Sequence, residues 1–229
     1  MAAFPNTLYL RSRYGQVGHG IEHEGLIDKR WTGYLHFFQL WVNLPRASKH
    51  EAPNFQNAVA ASLPVAAIAN VGTAKVLVGA DVFGVTSPVK SAYVPMQYVD
   101  FEIDAGAELT HESPPSLSTR FVWVYRGSLT IEGTTGSEGQ LMVLSRPEAG
   151  HQDTLVVTAG AEGCGFMFAA GQPIGEPVVQ HGPFVMNTRQ DIQTCFEDYQ
   201  RGQLTNMPVT RTHITTPYAS GAGSKAGEL

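Results

Sequence analysis

From Lys75 onward the chain repeats one local pattern. Short runs rich in β-branched and aromatic residues fall at 76–78, 82–85, 92–94, 98–103, 121–125, 129–131, 141–144, 155–158 and 166–169, with glycine or proline in the gaps between them. Runs of this length bounded by turn residues build an antiparallel sandwich or barrel, because alternate side chains share a face and each turn brings the chain back beside its neighbour. Breakers are spread along the chain, 24 Gly and 14 Pro in 229 residues, which leaves little room for long helices.

One segment departs from this pattern. Thr188-x-x-Asp191 reads as an N-cap pair, Ile192, Cys195, Phe196 and Tyr199 fall at i, i+3, i+4 and i+7, and Gly202 is placed to end the helix predicted over 189–201. Before the strand run, 7–10 alternates as a strand would, and Gly15, Gly18 and Gly20 mark a turning segment. The aromatic and β-branched stretch 33–44 ends at Pro45, as a barrel strand with its turn would. Residues 46–72 show no sustained period and read as a linker whose Ala-rich part suits a short helix, whereas 206–229 is polar, rich in Pro, Gly and Ser, and reads as a disordered tail.

Two blocks carry a family resemblance. Glu176-Pro177-Val178-Val179-Gln180-His181-Gly182-Pro183-Phe184-Val185-Met186-Asn187 resembles a segment near the C-terminus of the pirin family, and Phe38-Gln39-Leu40-Trp41-Val42-Asn43-Leu44-Pro45 resembles the strand closing the first cupin of that family. Tyr98-Val99-Asp100-Phe101 with Gly106-Ala107, and the run 72–89, resemble the start of the second pirin cupin more weakly. The resemblance implies an all-β bicupin of two antiparallel barrels or sandwiches, the N-terminal one incomplete, with one C-terminal helix. It divides the chain into a partial first cupin at 1–52, a linker at 53–73, a second cupin at 74–204 that includes the helix, and a tail at 205–229.

The resemblance also implies an Fe(II) protein, with quercetinase-type dioxygenase activity in some members and regulation through protein or metabolic partners in others. Metal ligands on a strand must sit two apart to share a face, yet the chain has no His-x-His and no His-x-Glu. The stretch Gly18-His19-Gly20-Ile21-Glu22-His23-Glu24-Gly25 resembles the family segment ending in His-x-Glu. His23 falls on the histidine ligand, Gly25 stands where the family has glutamate, and Glu24 is displaced by one, which on a regular strand turns it to the other face. The family's other two ligands come from an earlier His-x-His with no counterpart in this sequence. His23 and Glu24 are therefore the candidate metal residues, and Fe(II), held in some altered form of the family site, is the one cofactor that enters the expectation. An improvised site would draw on His19, His23, Glu24 and His36; the spacing of His19 and His23 suits a helix but separates them on a strand.

The remaining histidines read as structural. His36 is expected to be hydrogen-bonded within its aromatic strand, His181 buried at its turn, His151 with Asp153 in an exposed turn, and His111-Glu112 in a loop before Ser113-Pro114-Pro115. Phe37, Phe38, Trp41, Phe121, Trp123 and Tyr125 stand at strand spacings and are expected to pack inside the barrels.

Composition narrows the function. Net charge is −5 and the 15 Lys and Arg form no basic run, so direct nucleic-acid binding is not expected. Cys164 and Cys195 sit in unrelated contexts and read as reduced thiols near a core. The longest apolar stretch, 58–71, contains Ser62, Pro64 and Asn70 and is too short to cross a bilayer, and the N-terminus lacks the layout of a signal peptide. A cytoplasmic location follows, with the nucleus added by the resemblance. The expected function is a non-catalytic, pirin-like binding or regulatory protein, dimerising through its incomplete first barrel; the alternative is a metal-dependent dioxygenase whose site other residues or a partner chain complete.

Overall fold

The computed structural model describes residues 12–22, 36–145 and 153–218. In chain order the first strands are β1 Ser12–Gln16, β2 Asn54–Ala58, β3 Val65–Ile68, β4 Gly72–Val78, β5 Met96–Ile103, β6 Glu108–Ser113 and β7 Thr119–Ile131. They are followed by β8 Thr134–Ser137, β9 Leu141–Leu144, β10 Asp153–Gly171, β11 Val179–His181, β12 Phe184–Met186, helix α1 Arg189–Gln200 and β13 Thr210–Ile214. The all-β class expected from the sequence is the class observed, with sheets forming cupin-like sandwiches.

The chain divides into two compact units, one made of Met1–Ala60 with Ile174–His213, the other of Ala61–Pro173 with Ile214–Leu229. The second holds an eight-stranded sheet in the order β3-β4-β5-β10-β7-β8, with β6 also paired to β10 and β9 to β7. Strict alternation shapes its interior: Gln97, Val99, Phe101 and Ile103 of β5 are buried, as are Leu109, His111 and Ser113 of β6. Strand β10 serves two neighbours in succession, pairing β6 through 153–158 and β5 through 164–171. Its register against β7 shifts between Ala159 and Cys164, where Gly163 adopts a left-handed φ of 76° that a side chain would strain. The core of this unit is a continuous cluster that includes Val76, Val99, Phe101, Leu109, Val122, Val124, Phe166 and Phe168.

In the first unit, β1, β2 and β13 form a three-stranded sheet, and β11 and β12 form a hairpin on which α1 packs. The helix begins as its sequence predicts: the Thr188 side chain accepts from the Asp191 backbone, and the Asp191 carboxylate accepts from the Thr188 backbone. Ile192 and Cys195 are buried, Phe196 stands edge-on to Phe184 with centroids 4.9 Å apart, and Gly202 takes a φ of 68° just past the end.

Several expectations differ from the structure. Residues 53–73, read as a linker, hold β2, β3 and the start of β4, and 205–229, read as a tail, holds β13. The described part of 33–44 is not a strand, and within it Phe37 is 70% and Trp41 57% exposed. Phe121, Trp123 and Tyr125 do lie on one face of β7, but it is the opposite face to the core, because Val122 and Val124 take the inward positions. Runs 82–85 and 92–94 are not strands; Val82 and Val85 pair only with each other. The strand expected at 7–10 lies outside the described residues.

Candidate functional site

A cleft of about 870 Å³ opens in the second unit between the turn at 80–84 and the strands β5 and β6. At its base three polar side chains converge. The ring nitrogen Nε2 of His111 lies 3.1 Å from Oε1 of Gln97, and the Ser113 hydroxyl donates to the same oxygen at 3.2 Å. Because the amide oxygen accepts, Nε2 carries the ring proton and Nδ1 the lone pair. The three residues share this site through alternation: His111 and Ser113 are two apart on β6 and face inward together, while Gln97 faces inward from β5.

The surroundings are apolar. The His111 ring lies 5.2 Å from Phe168, 5.5 Å from Phe83 and 5.6 Å from Phe101, centroid to centroid. His111 is 3% exposed, and burial pulls its pKa down to about 4, so the imidazole is neutral at physiological pH. The expectation of a loop at 111–115 is corrected here for its first part, since β6 runs through Ser113 and turns His111 into the interior. The Leu109-x-His111-x-Ser113 alternation was the available signal, masked by the two prolines that follow.

In the first unit a second polar cluster joins the two blocks that carried the family resemblance. Lys49, 5% exposed, donates to Oδ1 of Asn43 at 2.6 Å and to the Val185 carbonyl at 2.9 Å. Glu176 accepts from the backbone of Arg46 at 2.8 Å and from the Asn187 amide at 3.0 Å, and that amide also donates to the Pro177 carbonyl. Burial lowers the Lys49 pKa, opposed by the charges of Glu176, Cys195 and Asp191. Each partner here is a structural tie.

Of the candidate metal residues, His23 and Glu24 lie outside the described residues. His19 is brought beside His50, which sequence reasoning passed over, with Nδ1 atoms 3.4 Å apart and ring centroids at 5.6 Å, while its Nε2 lies 3.2 Å from the Gln203 carbonyl. Both ring nitrogens of His19 are thus engaged, one by His50 and the other by the backbone. Among the described residues no three His, Cys, Asp or Glu side chains converge as a metal site. His36 is exposed beside Phe38 at 4.7 Å, and His181 is exposed against Phe196 at 5.4 Å rather than buried, because the hairpin turn holds it at the rim. His151 lies outside the described residues. Cys164 and Cys195 are both free and buried.

A cupin-like antiparallel sandwich with inward polar residues on paired strands defines the class. Residues 98–205 match the Pirin C-terminal cupin domain. A pirin-like protein of Caulobacter vibrioides is 35% identical over 82% of this chain and 65% of its own length, and Pirin-1 of Arabidopsis thaliana is 33% identical over 82% and 63%. The chain belongs to the pirin family. It spans slightly less than two thirds of the length of these relatives. A crystal structure of quercetin 2,3-dioxygenase from Acinetobacter baumannii is similar at a TM-score of 0.64 and 26% identity, covering 72% of this chain and 55% of that one. No helix among the described residues is long and apolar enough to cross a membrane.

Proposed function

We propose that this chain is a binding or regulatory member of the pirin family that works without the family's iron chemistry. The observation that carries the reading is a contrast within the first unit. The scaffold blocks are tied together by Lys49 and Glu176, while Gly25 occupies the position where the family has a glutamate ligand. An iron dioxygenase needs several His or carboxylate ligands and an open position, so replacing a ligand by glycine removes the means of holding substrate and O₂ together. The exposure of Phe37 and Trp41 supports a macromolecular partner, a second copy included, since apolar surface of this kind is where partners dock. Two free, buried thiols suit the reducing cytoplasm, with the nucleus added by the family resemblance.

The second reading is a metal-dependent dioxygenase completed by other residues or by a partner chain. It is favoured by the likeness to the Acinetobacter quercetin 2,3-dioxygenase. One experiment separates the two: purify the protein anaerobically, reconstitute with Fe(II), and measure iron content and O₂-dependent flavonol turnover. The first reading expects no stoichiometric iron and no turnover. Near one iron per chain together with turnover, both lost in His23→Ala, would overturn it.

A further inference from the structure

We propose that the cleft over His111 binds an uncharged or cationic ring compound that offers a hydrogen-bond donor. This goes beyond the reading above, because the residues concerned lie in the second unit and none is a candidate iron ligand.

Three observations converge on it. The first is an acceptor with no protein donor. Gln97 occupies Nε2 of His111, and Nδ1, in a residue 97% shielded from solvent, has no hydrogen-bond partner among the described residues. The atom is not among the buried unpartnered polar atoms, so it meets solvent at the cleft, where a ligand donor can take the place of water. Core packing alone would place an apolar residue at this position.

The second is the way Phe83 is held. Its φ is 49° and that of Asp81 is 50°, left-handed values that non-glycine residues rarely adopt. The pair of backbone hydrogen bonds between Val82 and Val85, at 2.9 and 3.1 Å, closes the turn that enforces them. The outcome is a phenyl ring that remains 37% exposed at the cleft while lying 32° from the plane of the His111 ring. Strained residues of this kind are kept where the placement of a side chain matters more than backbone comfort. An exposed ring beside a buried imidazole offers a ligand ring one apolar face to stack on.

The third is charge. Asp81 lines the cleft, and among the described lining residues there is no Lys or Arg. The Asp81 carboxylate at the rim repels anions and favours neutral or cationic ligands. Pro114 and Pro115 form an apolar wall without backbone donors that would attract an anion.

The test uses the full chain, chelator-treated so that its result is independent of any iron. The ring nitrogens of histidine are labelled with ¹⁵N, and phenol, benzylamine and benzoate are titrated separately. Phenol or benzylamine is expected to shift the His111 Nδ1 resonance saturably, with an affinity at least tenfold above that of benzoate. Phe83→Gly relieves the left-handed strain and removes the ring, so it is expected to fold and to weaken binding at least tenfold. If neither phenol nor benzylamine gives a saturable shift, if benzoate binds within tenfold of the better of them, or if Phe83→Gly binds as the parent does, the assignment is wrong.

Discussion

The ammonium of Lys49 reaches the carbonyl of Val185 at 2.9 Å across 136 residues of sequence. With Asn43 as its other acceptor, this buried cation joins the segment before it to the hairpin of β11 and β12. Removing it would leave two acceptors without their donor. Lys49→Ala is expected to destabilise the first unit by about 3 kcal/mol, the usual consequence of taking one partner from a buried charged hydrogen-bond network. Urea unfolding followed through far-UV circular dichroism checks this, and a loss below about 0.5 kcal/mol, the range of neutral surface substitutions, would mean that the tie is ornamental.

His111 makes stability depend on pH. Its folded pKa of about 4 lies below the ordinary 6.5, so the unfolded chain binds the extra proton between those values. The contribution is complete above pH 6.5 and is lost as pH falls toward 4, with the slope set by linkage. Between pH 7 and 5 the loss is about 2 kcal/mol. His111→Gln should flatten this part of the profile in chemical denaturation; an unchanged slope would show that the ring is solvated.

Gly165 on β10 lies under the ring of Tyr125, which is held down by the Tyr125 hydroxyl, 2.5 Å from Asp100 and 2.8 Å from Glu102. A Cβ at Gly165 would stand 2.5 Å from the tyrosine Cε2. Burial, together with these two carboxylates, pushes the Tyr125 phenol pKa strongly upward, so the hydroxyl stays protonated and donating. Gly165→Ala is expected to destabilise by about 2 kcal/mol through overpacking. A double-mutant cycle with Tyr125→Leu should recover part of that loss, because the rigid ring in the way is gone; strictly additive effects would place the strain elsewhere.

Phe37 and Trp41 make a prediction about association. If their exposed surface is a docking face, sedimentation velocity of the purified chain should show concentration-dependent dimers, and Trp41→Ser should shift the population toward monomer. Equal behaviour of the two proteins would remove this face from consideration.

Much of the second unit, and helix α1 of the first, was legible from local pattern. The burial alternation of β5, the position of β9 and the capping box of α1 follow from side chains only a few residues apart, and such periodicities are visible in any window of the chain. Length was less legible: 121–125 and 129–131 fuse into the single β7, and 155–158 and 166–169 into β10, because strands continue through glycines when neighbours on both sides keep supplying hydrogen bonds. The candidate site was hidden for a related reason. Pro114 and Pro115 made 111–115 look like a loop, and nothing near His111 in sequence announces that Gln97 will occupy its Nε2.

What the sequence by itself determined is the class of the protein: turn-punctuated strands, one capped helix, and two pirin-like blocks. These depend on backbone preferences and on residue identity, which are local. Only the tertiary structure decided that Lys49 ties those blocks together, that the aromatic face of β7 turns away from the core, and that His111 meets Gln97 beneath Phe83. Those outcomes depend on which strands pair and in what register, and pairing is settled by the burial of distant residues against one another.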